Sequence, residues 1–193
     1  MHKFHSKHSG CRLCGSTLIQ CVVPLEPIPL GEHYSSNPEE ADRFPIDLYQ
    51  CMNCKAVQTS DNIANEYLWK DYTYFSGQTE KIVDHFAEFS SRLLSKYFNQ
   101  SKGLSVLDIG SNDGSLLKQF KHHGCNVLGI DPADTVVAIA KNDGIDTKLG
   151  LFNKQTSRHY FQESQFDVIT AFNVFAHSAE MQEMAEEVKR CLK

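Results

Sequence analysis

Val106-Leu107-Asp108-Ile109-Gly110-Ser111-Asn112-Asp113-Gly114 is the stretch that decides the fold of this chain. It reads as a buried strand that ends in a tight, glycine-punctuated turn and leads into a helix. A second apolar run, Val127-Leu128-Gly129-Ile130, closes on Asp131, 17 residues after Gly114. Strand, glycine turn, helix and an acidic residue at the end of the next strand make the layout of a nucleoside-binding βαβ unit. The ligand is therefore expected to carry a ribose.

Working outward, residues 104–193 alternate between two periodicities. Strands are expected at 104–109, 126–130, 145–149 and 166–172, and helices near 114–123, 132–142, 154–162 and 178–192. That alternation predicts an α/β fold, a Rossmann-like parallel sheet covered by helices on both faces. Upstream, Ile82, Val83, Phe86, Phe89, Leu93, Leu94, Tyr97 and Phe98 recur at helical spacing, and Gly103 ends that helix. Residues 1–60 differ in character. They are rich in Cys and turn formers, and Pro24, Pro27, Pro29 and Pro38 disfavour long helices. Three parts follow: 1–60, a helical linker at 61–102, and 103–193.

The totals exclude several classes. The 193 residues suffice for one sizeable core or two small ones, and the formal net charge is −5 with no dense Lys/Arg stripe, which argues against a nucleic-acid partner. No apolar run approaches the length of a membrane span, and the first eight residues have no apolar core of the kind a signal peptide needs. Seven cysteines without such a signal point to a reducing compartment, the cytoplasm.

Cys11-Arg12-Leu13-Cys14 and Cys51-Met52-Asn53-Cys54 are two Cys-x-x-Cys units with 36 residues between them. Each can form a knuckle that points two thiolates at one ion, and four thiolates close a tetrahedral, structural Zn²⁺ site. Gly15 and Asn53 are the residues expected to take up left-handed backbone there. Two independent redox pairs are the rival reading, but neither pair sits near a βαβ pattern. Metal would supply the folding energy that so short and Pro-rich a region lacks. Cys21, Cys125 and Cys191 read as ordinary buried or semi-buried residues, and the amino-terminal histidines as a mobile tail.

The turn itself narrows the ligand. A dinucleotide fingerprint fails at Asn112 and Ser115, and no Gly-Lys-Ser/Thr of a P-loop follows. A nucleoside without phosphates fits, and S-adenosylmethionine in particular. Its amino-acid end needs backbone donors and a helix N-terminus around Gly110, Asn112 and Gly114. Its ammonium can face Asp108, and its ribose hydroxyls can donate to Asp131. Asn112 stands where a glycine is common, and it tolerates left-handed backbone best after glycine. Asp131 can equally cap a helix that begins at Pro132. Leu151 and Phe152 follow the third strand, where they can sandwich the adenine or serve as core. The fourth strand delivers Asn173 and then His177 to the carboxyl edge of the sheet, where ligands sit. Asn173 can orient the methionine portion, and an imidazole suits proton transfer near neutrality.

Taken together, the paired cysteines, Asp47-Leu48-Tyr49-Gln50, Tyr72-Thr73-Tyr74-Phe75-Ser76-Gly77, the 108–114 turn and Asn173-Val174-Phe175-Ala176-His177 resemble the zinc-containing nucleotide-sugar C-methyltransferases. The resemblance runs in order over essentially the whole chain. It implies a zinc module followed by a class I methyltransferase domain. The implied reaction moves a methyl group from S-adenosylmethionine to a carbon next to a ketone in a nucleotide-linked deoxysugar. It also implies that Tyr72 or Tyr74 and His177 line the sugar pocket. Such chemistry needs a base for the α-proton and a stabiliser for the enolate. Packing of the linker is the alternative for the tyrosines. The chain departs from the family in stopping after the helix that follows the fourth strand. That predicts an exposed sheet edge, completed by a longer chain or a partner. Rival functions are a non-catalytic zinc- and nucleoside-binding interaction module, and methyl transfer to oxygen or nitrogen of another small molecule.

Overall fold

The computed structural model describes residues 4–31, 36–37, 41–69 and 72–193. The expectations placed on Pro38 and on the first histidine of the chain lie outside them. The chain divides into two compact units, Met1–Tyr72 and Thr73–Lys193.

The first unit is built from short antiparallel pairs. β1 (His5–Lys7) pairs with β7 (Asp61–Ile63). β2 (Ile19–Val23), β5 (Leu48–Cys51) and β6 (Val57–Thr59) form a three-stranded sheet in the order β2-β5-β6. β3 (Ile28–Pro29) pairs with β4 (Arg43–Phe44), and α1 (Asn65–Leu68) is a single turn. Proline and knuckle geometry keep every element short, as the composition predicts. Of the amino-terminal histidines, His5 departs from expectation. It lies in β1 and its Nε2 sits 2.7 Å from Asp61 Oδ1, so residues 5–7 are a paired strand rather than a tail.

In the second unit the sequence rhythm becomes a four-stranded parallel sheet. β8 (Ser105–Ile109), β9 (Asn126–Asp131), β10 (Thr147–Leu149) and β11 (Val168–Thr170) lie in the order β10-β9-β8-β11. Helices α2 (Glu80–Tyr97), α3 (Ser115–His122), α4 (Asp134–Asn142), α5 (Lys154–Tyr160) and α6 (Met181–Cys191) connect or cover the strands. Strand β8 shows why both faces must be covered. Val106 joins one cluster with Phe86, Leu94, Leu117 and Phe120, whereas Leu107 and Ile109 join the other with Ile130, Phe161 and Met184. Period-2 alternation of apolar side chains demands helices on each side. Between α5 and α6, buried Glu187 accepts from Ser157 Oγ (2.6 Å), Arg158 Nε (2.9 Å) and Arg190 Nε (2.6 Å), so its charge is paired.

Two boundaries moved for physical reasons. β11 is shorter than the apolar run suggested, because Phe172 leaves the strand and sets its ring edge-on against Phe86 (5.5 Å) and Phe89 (5.0 Å) of α2. Helix α4 begins at Asp134, so Pro132 is not its first residue. β11 stands at the end of the strand order, and the chain engages it just ahead of its start. Phe166 forms a parallel bridge with Leu192, and Lys193 N donates to Phe166 O at 2.9 Å.

Candidate functional site

The sheet's strand order reverses between β8 and β11, which places a crevice at their carboxyl ends. The turn from β8 into α3 lies at that crevice. Gly110, Asn112 and Gly114 all have left-handed backbone, with φ of +66°, +51° and +77°. At Gly110 nothing larger fits, since a Cβ would lie 2.5 Å from Val174 Cγ2. That contact also brings the segment after β11, with Asn173 and His177, beside the turn. Asn173 is itself left-handed (φ +54°), and His177 ends a short 3₁₀ turn; both are exposed.

Asp131 receives two backbone N–H groups, Asn112 N on Oδ2 and Ala133 N on Oδ1, each at 2.9 Å. The expected capping role thus falls on the turn before α4 rather than on the helix, and a lone pair on each oxygen remains for a ribose hydroxyl. Asp108 is 4% exposed and accepts from Thr170 Oγ1 at 2.6 Å. Burial pushes its carboxyl up to about 7 against that hydrogen bond, and the nearby Asp131 charge adds to the rise. Burial raises Asp131 too, opposed by its two amides. Two buried carboxylates at one strand edge favour a cationic, hydroxyl-rich ligand, the chemistry of S-adenosylmethionine. Ser111 Oγ, buried and without a hydrogen-bond partner among the described residues, lies under the same turn.

Other expected site residues are distributed unevenly. Phe152 is 9% exposed and stacks on Phe161 at 6.2 Å inside the core, so its place is packing; Leu151 alone of that pair stays half-buried at the edge. Tyr74 is 40% exposed and belongs to the second unit, whereas Tyr72 closes the first, its ring 5.4 Å from Trp69. Sequence reasoning missed Asp113. Its Oδ1 accepts from Ser115 N (3.0 Å) and Ser115 Oγ (2.6 Å), so the N-terminus of α3 is served by the chain's own carboxylate. The signal was present in Asp113-Gly114-Ser115, a short acceptor just ahead of a helix.

In the first unit, Cys11, Cys14, Cys51 and Cys54 bring all four Sγ atoms within 4.8 Å of one another. The Cys11–Cys54 and Cys14–Cys51 separations are both 3.6 Å. A tetrahedron with Zn–S bonds of about 2.3 Å has edges of about 3.8 Å, so the sulfurs fit zinc. The two knuckles repeat one pattern. Cys11 N donates to Ser16 O and Gly15 N to Cys11 O; Cys51 N donates to Ala56 O and Lys55 N to Cys51 O. The left-handed positions are therefore Gly15 (φ +73°) and Lys55 (φ +67°), not Asn53. Asn53 has another task, donating through Nδ2 to Cys14 Sγ at 3.7 Å. The Ser16 amide and Asn53 hold the Cys14 thiol down at about 6. The Ala56 amide favours the Cys54 thiolate, yet the neighbouring Cys14 sulfur and burial push it up to about 12. Four such sulfurs ionise together only around a cation. Of the other thiols, Cys125 and Cys191 are buried as expected, and Cys21 is exposed on β2.

Comparison with known proteins divides the chain in the same way. Residues 107–193 match the family model described as "Methyltransferase domain", and residues 11–69 the one described as "Putative zinc binding domain". The second unit therefore has a Rossmann-like fold whose residues 107–193 match a methyltransferase domain, and the first carries a four-cysteine cluster within the match to a zinc-binding domain. Among individual proteins, the chain is similar to the C-methyltransferase NovU of Streptomyces niveus, 26% identical over 140 residues, 71% of this chain and 33% of NovU. A ubiquinone biosynthesis O-methyltransferase of Rhodopseudomonas palustris is 32% identical over 83 residues, 42% of this chain and 33% of that protein. The chain thus spans about a third of the length of these two relatives. The crystal structure of the PH0226 protein from Pyrococcus horikoshii OT3 has a TM-score of 0.52 at 20% identity, covering 66% of this chain and 61% of that one, a likeness of fold. No helix among the described residues is long and apolar enough to cross a membrane.

Proposed function

We propose that the protein methylates a carbon adjacent to a ketone in a nucleotide-linked deoxysugar, with S-adenosylmethionine as donor and zinc as a structural ion. The observation that carries this reading is the union, in one chain, of the four-cysteine cluster and the methyltransferase domain with likeness to a C-methyltransferase over 71% of its length. When bound, S-adenosylmethionine supplies an electrophilic methyl group. The chain's part is to hold and to orient. Asp131 takes the ribose, Asp108 faces the ammonium, and Gly110 lets the backbone approach closely. Leu151 borders the adenine, and Asn173 fixes the methionine portion. His177 Nε2 or Nδ1, on the exposed turn beside Val174, accepts the α-proton of the sugar, and Tyr74 steadies the enolate oxygen. In-line placement of the nucleophilic carbon then sets the rate. A partner completes the sheet beside β11, and no nucleic acid or membrane takes part. The reading places the protein in the cytoplasm.

Methyl transfer to oxygen is the second reading, favoured by the 32% identity to the ubiquinone biosynthesis O-methyltransferase. One assay separates the two. The protein at its full encoded length is incubated in deuterated water with S-adenosylmethionine and a nucleotide-linked ketosugar. Carbon transfer predicts deuterium at the α-carbon and a new C–CH₃ resonance. An O–CH₃ resonance with no deuterium exchange overturns the leading reading.

A further inference from the structure

The residue at position 112 does more than permit the turn. Its side chain bridges to the stretch just before α2. Asn112 Oδ1 accepts from Ser76 N at 2.9 Å, and Asn112 Nδ2 donates to Tyr74 O at 3.0 Å. Next to it, Asp113 Oδ2 accepts from Gly77 N at 2.7 Å. Three backbone groups of the irregular segment 74–77 are thus satisfied by two side chains of the cofactor turn. Irregular backbone needs such partners as much as a strand does. The approach is close enough to demand glycine at 77, where a Cβ would lie 2.8 Å from Ser115 Oγ and 2.9 Å from Asp113 Oδ2. A glycine at 112 would adopt the same φ of +51° more easily, but it would carry no hook. The same Asn112 gives its own N–H to Asp131 Oδ2. One continuous chain of hydrogen bonds therefore runs from the carboxylate that faces the ribose to the segment bearing Tyr74 and Phe75.

We propose that Asn112 is a positioning residue that straps segment 74–77 to the cofactor turn, so that S-adenosylmethionine in the turn orders the strap and sets Tyr74 for substrate. This inference rests on the proposed methyltransferase reading, and its test separates the two. Backbone amide exchange is followed by mass spectrometry in the full-length protein, with and without S-adenosylmethionine, alongside a calorimetric titration of the cofactor. In ligand-free protein, Asn112→Gly removes both side-chain hydrogen bonds to the strap and speeds exchange of the strap amides by at least about fivefold to tenfold. Amides of β8 stay slow, which shows that the sheet is intact. Asn112→Asp keeps an acceptor for Ser76 N–H but not the donor to Tyr74 O, and restores part of that protection. Bound S-adenosylmethionine slows strap exchange in the unsubstituted protein and does so much less in Asn112→Gly. A structural prop alone would not make strap exchange depend on the cofactor. The inference is overturned if Asn112→Gly leaves strap exchange unchanged, or if S-adenosylmethionine binds by titration without slowing it. Failure of the cofactor to bind at all overturns the function reading and the coupling together, while the ligand-free comparison still decides the strap.

Discussion

The two units reach order by opposite means. Among the described residues of the first, the buried apolar side chains are Cys11, Phe44 and Cys51, and two of those three are cluster thiols. The same unit leaves Leu13, Leu18, Val22, Val23, Leu25, Ile28, Met52 and Val57 more than 40% exposed. The second unit buries Leu107, Leu117, Phe120, Ile130, Val136, Ile145 and Phe166 almost completely, on two faces of one sheet. Small domains that cannot remove enough apolar surface from water need a metal or another staple. The comparison teaches that ion and core are alternative sources of folding free energy, used side by side in one chain.

The largest expected effect is loss of the metal. Structural zinc contributes roughly 10–16 kcal/mol of apparent binding free energy in comparable modules. A strong chelator, or Cys51→Ala, should abolish amide protection in β2, β5 and β6 and drop zinc content well below one per chain. Amides of β8 and β9 should remain slow; simultaneous loss in both units would break the comparison. The converse substitution is Phe120→Ala, in a fully buried ring that touches the cluster beneath α2. It should lower the stability of the second unit by about 3–5 kcal/mol in denaturant melts and leave zinc stoichiometry unchanged.

A third test uses pH. Asp108 is raised from its ordinary range to about 7, first by burial. A carboxyl whose folded value lies above its unfolded one binds its proton more tightly in the fold. Its contribution is therefore present at low pH and is lost as pH rises from about 4 to about 7. Asp108→Asn should flatten the decline in second-unit stability across that window, measured by thermal melts. Affinity for S-adenosylmethionine should strengthen through pH 7 as the carboxylate forms, and the substitution should remove that rise. The smallest effect is at Lys55, whose φ of +67° repeats that of Gly15. Lys55→Gly should stabilise the zinc-loaded module by about 1 kcal/mol, less whatever the Lys55 Nζ to Met52 O bond contributes. Calorimetric melting of the metal-loaded protein reads it.

Legibility followed the range of the interactions. The four cysteines were readable because a tetrahedral ion needs two close pairs, and spacing alone displays them. The parallel sheet was readable from its period, and Gly110, Asn112 and Gly114 from the left-handed backbone of a turn. Phe152 was ambiguous because an apolar residue after a strand looks the same whether it meets adenine or Phe161. The left-handed position in the second knuckle was misplaced onto Asn53 because propensity outweighed geometry. The hydrogen bonds that repeat the first knuckle put it on Lys55, the less suited residue.

The sequence by itself determined the four-cysteine cluster, the α/β alternation and the acidic residues at the strand ends, since each rests on local spacing or period. Tertiary structure alone decided which backbone groups those residues hold. Asn112 meets Tyr74 and Ser76, Asp113 meets Gly77, and Val174 closes on Gly110, across 36 to 38 residues in the first cases and 64 in the last. No local pattern encodes such pairs, because the hydrogen-bond demand of an irregular segment is met by whatever polar side chain the fold carries to it.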